Sequence, residues 1–237
     1  SLHAYFLLAG DKRLPIDYRV ERVRDGRSFA TRRVVAQQKG QTIFTMMASF
    51  HSAEPGSFAH QDAMPGVPAP EQLASEVQLR RAQADRLPPG CRGEREPAIE
   101  YRAVDPLDLL HPAPRPAQMQ LWLRAAGALP DDPVLHRALL AYASDYGLLR
   151  AALLPHGLSF MQPAMRGASL DHAMWFHTNV NINDWLLFCG HVHSVGGGRA
   201  KARTEVYNPD GQPIATASQE GMIRVANPDH GANSRWG

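Results

Sequence analysis

The residues best suited to chemistry lie at 171–177, where Asp-His-Ala-Met-Trp-Phe-His sets one carboxylate and two imidazoles around an apolar centre. In an extended strand alternate side chains share a face, so Asp171 and His177 would lie with Trp175, and His172 on the opposite face. A carboxylate among apolar groups is partly desolvated, which disfavours its charged form. The segment is a candidate acid–base site. Taken alone, it is more typical of a strand-end aspartate beside core aromatic residues.

A histidine pair offers a second kind of chemistry. His191 and His193 share one face of the predicted strand 184–194, which is one way to hold a metal ion. Zinc sites need three or four converging ligands, and no third ligand follows at a defining spacing. We therefore expect a solvated or hydrogen-bonded pair and no bound metal.

A serine nucleophile is not indicated either. Residues 26–30 and 157–161 approach the pattern Gly-x-Ser-x-Gly, but both lack its final glycine. The glycines at 196–198 lack the Lys-Ser/Thr of a phosphate-binding loop and are more typical of a flexible strand connection.

Two sets of strands must position these residues. Alternating apolar residues and turn signals predict an antiparallel meander with strands at 1–8, 14–24, 28–38 and 42–51, and a second set at 118–124, 170–177, 184–194, 199–208 and 213–224. Before the last four strands, Asp131-Asp132-Pro133 starts a mostly apolar helix that Gly147 ends. Between the sets, prolines interrupt any continuous sheet, and only a helix at about 71–86 is expected. The predicted divisions are a partial N-terminal meander at 1–53, a proline-rich connector with a short helix at 54–116, and a C-terminal domain at 117–237.

The two sets resemble each other internally. Gly26 and Gly40 bracket a strand at the same spacing as Gly197 and Gly211, and residues 40–45 then align with 211–216. Such repetition indicates a duplicated supersecondary unit. In the second copy its order is strand, apolar helix, antiparallel meander, which is the order of a hotdog domain. The predicted fold is α+β: a double hotdog whose antiparallel sheets wrap around a long apolar helix, with the first hotdog helix absent from this chain.

The last strand shows where the copies have diverged. In this alignment Gln219 and Glu220 fall opposite Ala48 and Ser49. A polar residue at the diverged pair could carry function, although glutamine in a strand is by itself unremarkable.

Composition narrows the function classes. A formal net charge of +2 over 237 residues, without a basic stripe, argues against nucleic acid as a partner. No apolar run reaches membrane-spanning length, and the N-terminus lacks a basic and then apolar leader. The two cysteines form no Cys-x-x-Cys pair. We expect a cytosolic protein that does not bind membranes.

Several long motifs resemble the acyl-CoA thioesterase II family. They are residues 1–7, 24–29, 64–65, 141–145, 171–177, 183–187 and 219–221. The resemblance implies hydrolysis of acyl-CoA thioesters to free fatty acid and coenzyme A by an oriented water, without a cofactor, a metal or a covalent intermediate. It also implies acyl-CoA as substrate and a homo-oligomer formed through hotdog sheets. The alternative is a catalytically silent acyl-CoA-binding or scaffolding homologue; a dehydratase-type hotdog fits the motifs less well.

In that family an Asp, a Gln and a Ser or Thr hold the attacking water. Carried over by motif, the carboxylate is Asp171 and the amide is Gln219. The hydroxyl position falls at His193, with Ser194 directly after it, and either could take the role. Members of the family also carry a further N-terminal strand and helix, and this chain is expected to begin after them.

Overall fold

Antiparallel pairing connects every strand of the computed structural model, which describes residues 1–162 and 164–225. Within these residues eleven strands form a single sheet: β1 Leu2–Phe6, β2 Asp17–Asp25, β3 Phe29–Gln38, β4 Gln41–His51, β5 Ile99–Ala103, β6 Gln118–Ala125, β7 Met165–Ser169, β8 Asp171–Phe176, β9 Leu186–Gly196, β10 Arg199–Tyr207 and β11 Pro213–Val225. The α-helices are α1 Glu76–Arg81, α2 Pro133–Ser144 and α3 Leu148–Ala151, with 3-10 turns at Pro70–Gln72 and Leu154–His156.

The strand order joins the two predicted meanders edge to edge. It runs β2-β3-β4-β1-β8-β11-β10-β9-β6-β5, and β7 pairs with β11 off this path. The junction is the pairing of β1 with β8, whose register sets Leu2 opposite Met174 and Tyr5 opposite Asp171. The predicted strands are found with ends shifted by a few residues, and the segment predicted as one strand at 170–177 is preceded by a separate strand, β7.

The proline-rich stretch contains more structure than its sequence predicts. The helix expected at about 71–86 is limited to a 3-10 turn and the six residues of α1. Residues 99–103 form β5, which pairs with β6 and buries Ile99 and Tyr101. The prolines exclude a continuous sheet through this stretch, but they leave room for one short edge strand.

Helix α2, which precedes the last strands of the second meander, begins as predicted and ends earlier than predicted. Asp132 caps α2 by accepting from the backbone N–H groups of Val134 (2.8 Å) and Leu135 (3.4 Å), and Pro133 occupies the first helical position. The helix ends at Ser144, and Gly147, with φ of +85°, turns the chain into α3. Residues 145–147 are called the α2–α3 corner below.

Small residues on the sheet let α3 approach it closely. A Cβ placed on Gly221 of β11 would lie 2.5 Å from Leu149 Cδ2 and 2.9 Å from its Cγ. Leu148 and Ala151 of α3 are buried, and with Leu140 and Ala143 of α2 they join one apolar core with strands β5 to β11. The central helix of the predicted hotdog is therefore a pair of helices that share the core side of the sheet.

The N-terminal meander is less buried. Residues 1–51 form strands and turns, and every residue of β2 is exposed. Large apolar side chains on these strands are more than half exposed: Tyr5, Tyr18, Val20, Phe29 and Phe50. In the part of the chain that the structure describes, no helix combines the length and apolar character needed to cross a bilayer.

Candidate active site

Three polar side chains around Gln219 form a closed triangle of hydrogen bonds on the face of the sheet that α3 contacts. Gln219 is fully buried, and its Nε2 donates to Ser169 Oγ at 2.7 Å and to Asp145 Oδ1. Ser169 Oγ in turn donates to Asp145 Oδ1 at 3.1 Å. The remaining amide oxygen, Gln219 Oε1, is buried with no hydrogen-bond partner among the described residues. These three residues are called the Asp145–Ser169–Gln219 cluster.

Each member of the cluster is placed by a different element. Ser169 is the last residue of β7 and pairs with Gly221 of β11. Because side chains repeat every second residue along a strand, Gln219 and Gly221 point to the same face, which is the face that Leu149 of α3 contacts. Asp145 is the C-terminal cap of α2, in the first position of the α2–α3 corner. The α2–α3 corner therefore places the Asp145 carboxylate against the Gln219 side chain.

The three members of the cluster differ in their exposure to solvent. Gln219 is inaccessible to solvent, Ser169 is half-buried and Asp145 is exposed. Since both amide hydrogens of Gln219 and the Ser169 hydroxyl hydrogen are already donated, the groups left for a ligand are acceptors: Gln219 Oε1 and the second oxygen of Asp145. Two acceptors within reach of one water would bind its two hydrogens and leave a lone pair free.

A buried histidine supports the last turn of α2. His172, only 5% exposed, has its Nε2 2.9 Å from Ser144 Oγ. The Ser144 hydroxyl donates to the Ala141 carbonyl at 2.9 Å, so its lone pair accepts from His172, which fixes the ring proton on Nε2. Burial lowers the pKa of His172, against the opposing effect of the Asp145 and Asp171 carboxylates. The neutral ring thus holds the residue directly before Asp145.

Asp171, the carboxylate carried over from the family motif, lies beside the cluster and outside it. Its Oδ1 accepts from the backbone N–H of Glu220 at 2.6 Å. No hydrogen bond joins Asp171 to Gln219 among the described residues. The structure brings Gln219 together with Asp145 instead, because the end of α2 reaches the sheet face on which Gln219 lies.

The two candidates for the hydroxyl position lie elsewhere. Ser194 pairs with Lys201 and Val192 with Ala202, which leaves His193 as the extra residue of a β-bulge on β9. Both side chains are exposed, and His193 packs edge-on against His191 at 4.6 Å. Strand β10 separates β9 from β11, a distance of about 10 Å for two strand spacings. Neither residue joins the cluster, and Ser169 provides the hydroxyl that contacts Gln219.

Asp145 and Ser169 were not singled out by the sequence, although signals for both exist. Asp145 ends the motif 141–145 that carries part of the family resemblance, and it is a charged residue closing an apolar helix. Ser169 lies two residues before Asp171, on a segment whose own strand was not predicted. No group of three or more His, Cys, Asp or Glu side chains in residues 1–162 and 164–225 is arranged to hold a metal ion.

Comparison with known proteins assigns the family. Residues 98–222 match the family model described as acyl-CoA thioesterase, and residues 1–51 match that of the acyl-CoA thioesterase N-terminal domain. The chain belongs to the acyl-CoA thioesterase family. "Acyl-CoA thioesterase 2" of Haemophilus influenzae is 38% identical over 228 residues, which cover 95% of this chain and 79% of that protein.

Solved structures agree with this assignment. The crystal structure of an acyl-CoA thioesterase II from Mycobacterium marinum is 42% identical with a TM-score of 0.77, covering 95% of this chain and 80% of that one. A protein with a hot dog fold from Alicyclobacillus acidocaldarius, 19% identical, matches with a TM-score of 0.73 over 95% of this chain and 78% of its own. The predicted α+β hotdog fold is therefore confirmed.

Proposed function

We propose that this protein hydrolyses acyl-CoA thioesters to a free acid and coenzyme A, and that the Asp145–Ser169–Gln219 cluster holds the attacking water. The observation that carries the proposal is the closed triangle around the buried Gln219 amide. The relatives named as acyl-CoA thioesterases support the substrate class.

The cluster supplies the groups that water attack requires. Gln219 Oε1 and the free oxygen of Asp145 each accept one hydrogen of the water, so that its lone pair points at the thioester carbonyl. As the new C–O bond forms, Asp145 takes the proton, a role worth about 10²–10⁴-fold in rate for a well-placed general base. The carbonyl electrons move onto oxygen, and collapse of that intermediate breaks the C–S bond and releases coenzyme A, whose sulfur takes up a proton.

Ser169 has an orienting role in this scheme. It accepts from Gln219 and donates to Asp145, so the amide and the carboxylate keep fixed directions before substrate arrives. Such preorganisation lowers the entropy lost when the water is positioned. Asp171 is assigned a supporting role, because it fixes the backbone of Glu220, the neighbour of Gln219.

Assembly and location are further parts of the proposal. Exposed apolar side chains on β2, β3 and β4 support association of copies through their sheets. Two cysteines that remain free thiols, Cys91 and Cys189, support a reducing compartment such as the cytosol.

Release of thiol from acyl-CoAs of several chain lengths tests the reaction. We expect steady turnover by the wild type and a loss of at least about 100-fold in kcat for Gln219→Ala. Gln61→Ala, which changes an exposed glutamine outside the cluster, is the matched control and should retain wild-type turnover. Acyl-CoA binding without turnover in the wild type would refute the enzymatic role and favour a silent binding homologue.

A further inference from the structure

A buried histidine next to Gln219 has one ring nitrogen that the reaction scheme does not use. The Nε2 of His172 donates to Ser144 Oγ at 2.9 Å, so its Nδ1 carries no proton and can only accept a hydrogen bond. Within the part of the chain that the structure describes, Nδ1 is buried and has no hydrogen-bond partner, and the same is true of Gln219 Oε1. A buried acceptor without a donor is costly, so each of these two atoms needs a donor.

Strand pairing places the two side chains next to each other. Strands β7 and β8 pair with β11 in registers that differ by one residue, as two of the opposed pairs show: Ser169 with Gly221, and Ala173 with Ser218. Between these pairs the backbone N–H of Leu170 donates to the carbonyl of Glu220 at 2.9 Å. The extra residue therefore forms a β-bulge in which Asp171 and His172 together face Gln219.

Contacts with the helix show that both side chains point to the same face of the sheet. His172 bonds to Ser144, the last residue of α2, and Gln219 bonds to Asp145, the next residue along the chain. Because the Cα atoms of consecutive residues are about 3.8 Å apart, the imidazole and the amide lie side by side at the end of the helix.

One water can satisfy both acceptors. A water molecule donates two hydrogen bonds, and it is held in a protein interior where polar groups converge and space is sufficient. The neighbours on the flanking strands are small, because Ala4 of β1 is opposite His172 and Ala202 of β10 is opposite Gln219. An amide oxygen has two lone pairs, so Gln219 Oε1 can accept from this water and from the attacking water together.

A second buried histidine shows how the protein bonds both nitrogens of a ring. His136 of α2 is 3% exposed, its Nε2 lies 3.1 Å from Pro130 O, and its Nδ1 accepts from the Ile182 N–H at 3.2 Å. His172 differs, because the protein bonds only one of its nitrogens and the other lies beside Gln219.

We propose that His172 is a positioning residue for hydrolysis, whose Nδ1 shares one buried water with Gln219 Oε1. This bound water fixes the direction of the amide oxygen, and the amide oxygen in turn holds the attacking water. The role of His172 rests on the proposed function of Gln219, and it is the same whichever carboxylate takes the proton. His172 contacts neither the thioester nor the attacking water.

Two substitutions separate the two ring nitrogens. In His172→Asn the amide oxygen can take the place of Nδ1, so the water keeps its acceptor while the bond to Ser144 is lost. In His172→Gln the longer side chain still reaches Ser144, and the acceptor at Nδ1 is lost. We expect kcat for thiol release to fall by about 10–100-fold in His172→Gln, with KM within about twofold, because the Gln219 oxygen loses its fixed direction. His172→Asn should retain more turnover than His172→Gln, whereas a role through Ser144 alone predicts the opposite order.

A control and a double variant separate positioning from a general structural effect. His136→Gln changes the other buried histidine and should leave kcat unchanged. At high enzyme concentration, His172→Gln should cost little further rate in a Gln219→Ala background, because the oxygen that the water fixes is already absent. Wild-type kcat in His172→Gln, a lower kcat in His172→Asn than in His172→Gln, or the same fold-loss in both backgrounds overturns this inference alone.

A crystal structure of the wild type at high resolution decides the matter if a variant does not fold. A water within hydrogen-bond distance of both His172 Nδ1 and Gln219 Oε1 supports the proposal, and its absence overturns it. A wild type that releases no thiol overturns the proposed function and the role of His172 with it.

Discussion

Replacing Gly221 by alanine tests how the fold places the α2–α3 corner, which carries Asp145. The added Cβ would lie 2.5 Å from Leu149 Cδ2 and 2.9 Å from Leu149 Cγ, and still closer to Cδ1. Apolar carbons pack at about 3.5–4.0 Å, so Leu149 or α3 must retreat by roughly 1 Å. Overpacking of this kind costs about 1–3 kcal/mol. In a domain of 150–250 residues each kcal/mol lowers Tm by about 2–4 °C, so the expected loss is roughly 2–12 °C.

The same displacement should reduce activity. Leu149 is only four residues from Asp145, so we expect a movement of α3 to shift the Asp145 carboxylate away from Gln219. We expect kcat for thiol release to fall by about 10–100-fold. Thermal unfolding and steady-state kinetics on the same preparation would give both numbers.

A second substitution tests whether the contact with Leu149 causes the losses in Gly221→Ala. Leu149→Ala removes the overlapping atoms, so the double variant should be more stable than the sum of the two single effects predicts. Gly196→Ala is the matched control, because a Cβ there meets nothing within 4 Å and its φ is not positive. Wild-type Tm and kcat in Gly221→Ala, or additive losses in the double variant, would refute the account of how α3 packs on β11.

Two further predictions concern the groups around Asp145. Ser169→Ala should lower kcat by roughly 10–100-fold by freeing the carboxylate and the amide to reorient, whereas Ser169→Thr, which keeps the hydroxyl, should stay near wild type; equal rates in both variants would contradict the orienting role. Burial lowers the pKa of His172 below its ordinary 6.5, so the unfolded chain binds a proton that the folded chain excludes as pH falls through 6.5 toward the folded value. The free energy of unfolding should therefore not depend on His172 above pH 6.5, and below pH 6.5 it should fall by up to about 1.4 kcal/mol per pH unit. Denaturant unfolding at several pH values should find this dependence reduced in His172→Gln. An unchanged dependence in that variant would show that other groups cause it.

The strands were largely predictable because alternation and turn residues are local signals. Asp25-Gly26 and Lys39-Gly40 do mark strand ends in the structure, and Asp132-Pro133 marks the start of α2. Strand β5 was missed because its pairing with β6 is decided by tertiary contact, while its neighbourhood is dominated by prolines. The helix end was misplaced by two residues because Tyr146 continues the apolar period but lies beyond the last helical residue.

The site was harder to predict than the fold. The sequence offers Gln219 as a candidate, but the residues that its amide contacts are 74 and 50 residues away in the chain, and the fold alone brings them together. Asp171 lies in a conspicuous strand motif, whereas Asp145 contacts Gln219 from the end of a helix. Which carboxylate reaches a buried amide depends on how the helix lies on the sheet, and a local pattern does not record that.

The most direct test of the central claim compares the two carboxylates in one assay. Asp145→Asn and Asp171→Asn are isosteric changes, and thiol release from a saturating acyl-CoA would be measured for both, with circular dichroism to confirm folding. We expect kcat to fall by about 10²–10⁴-fold in Asp145→Asn and by less than about tenfold in Asp171→Asn. The reverse order, or wild-type turnover in Asp145→Asn, would contradict the assignment of the water-activating carboxylate to the end of α2.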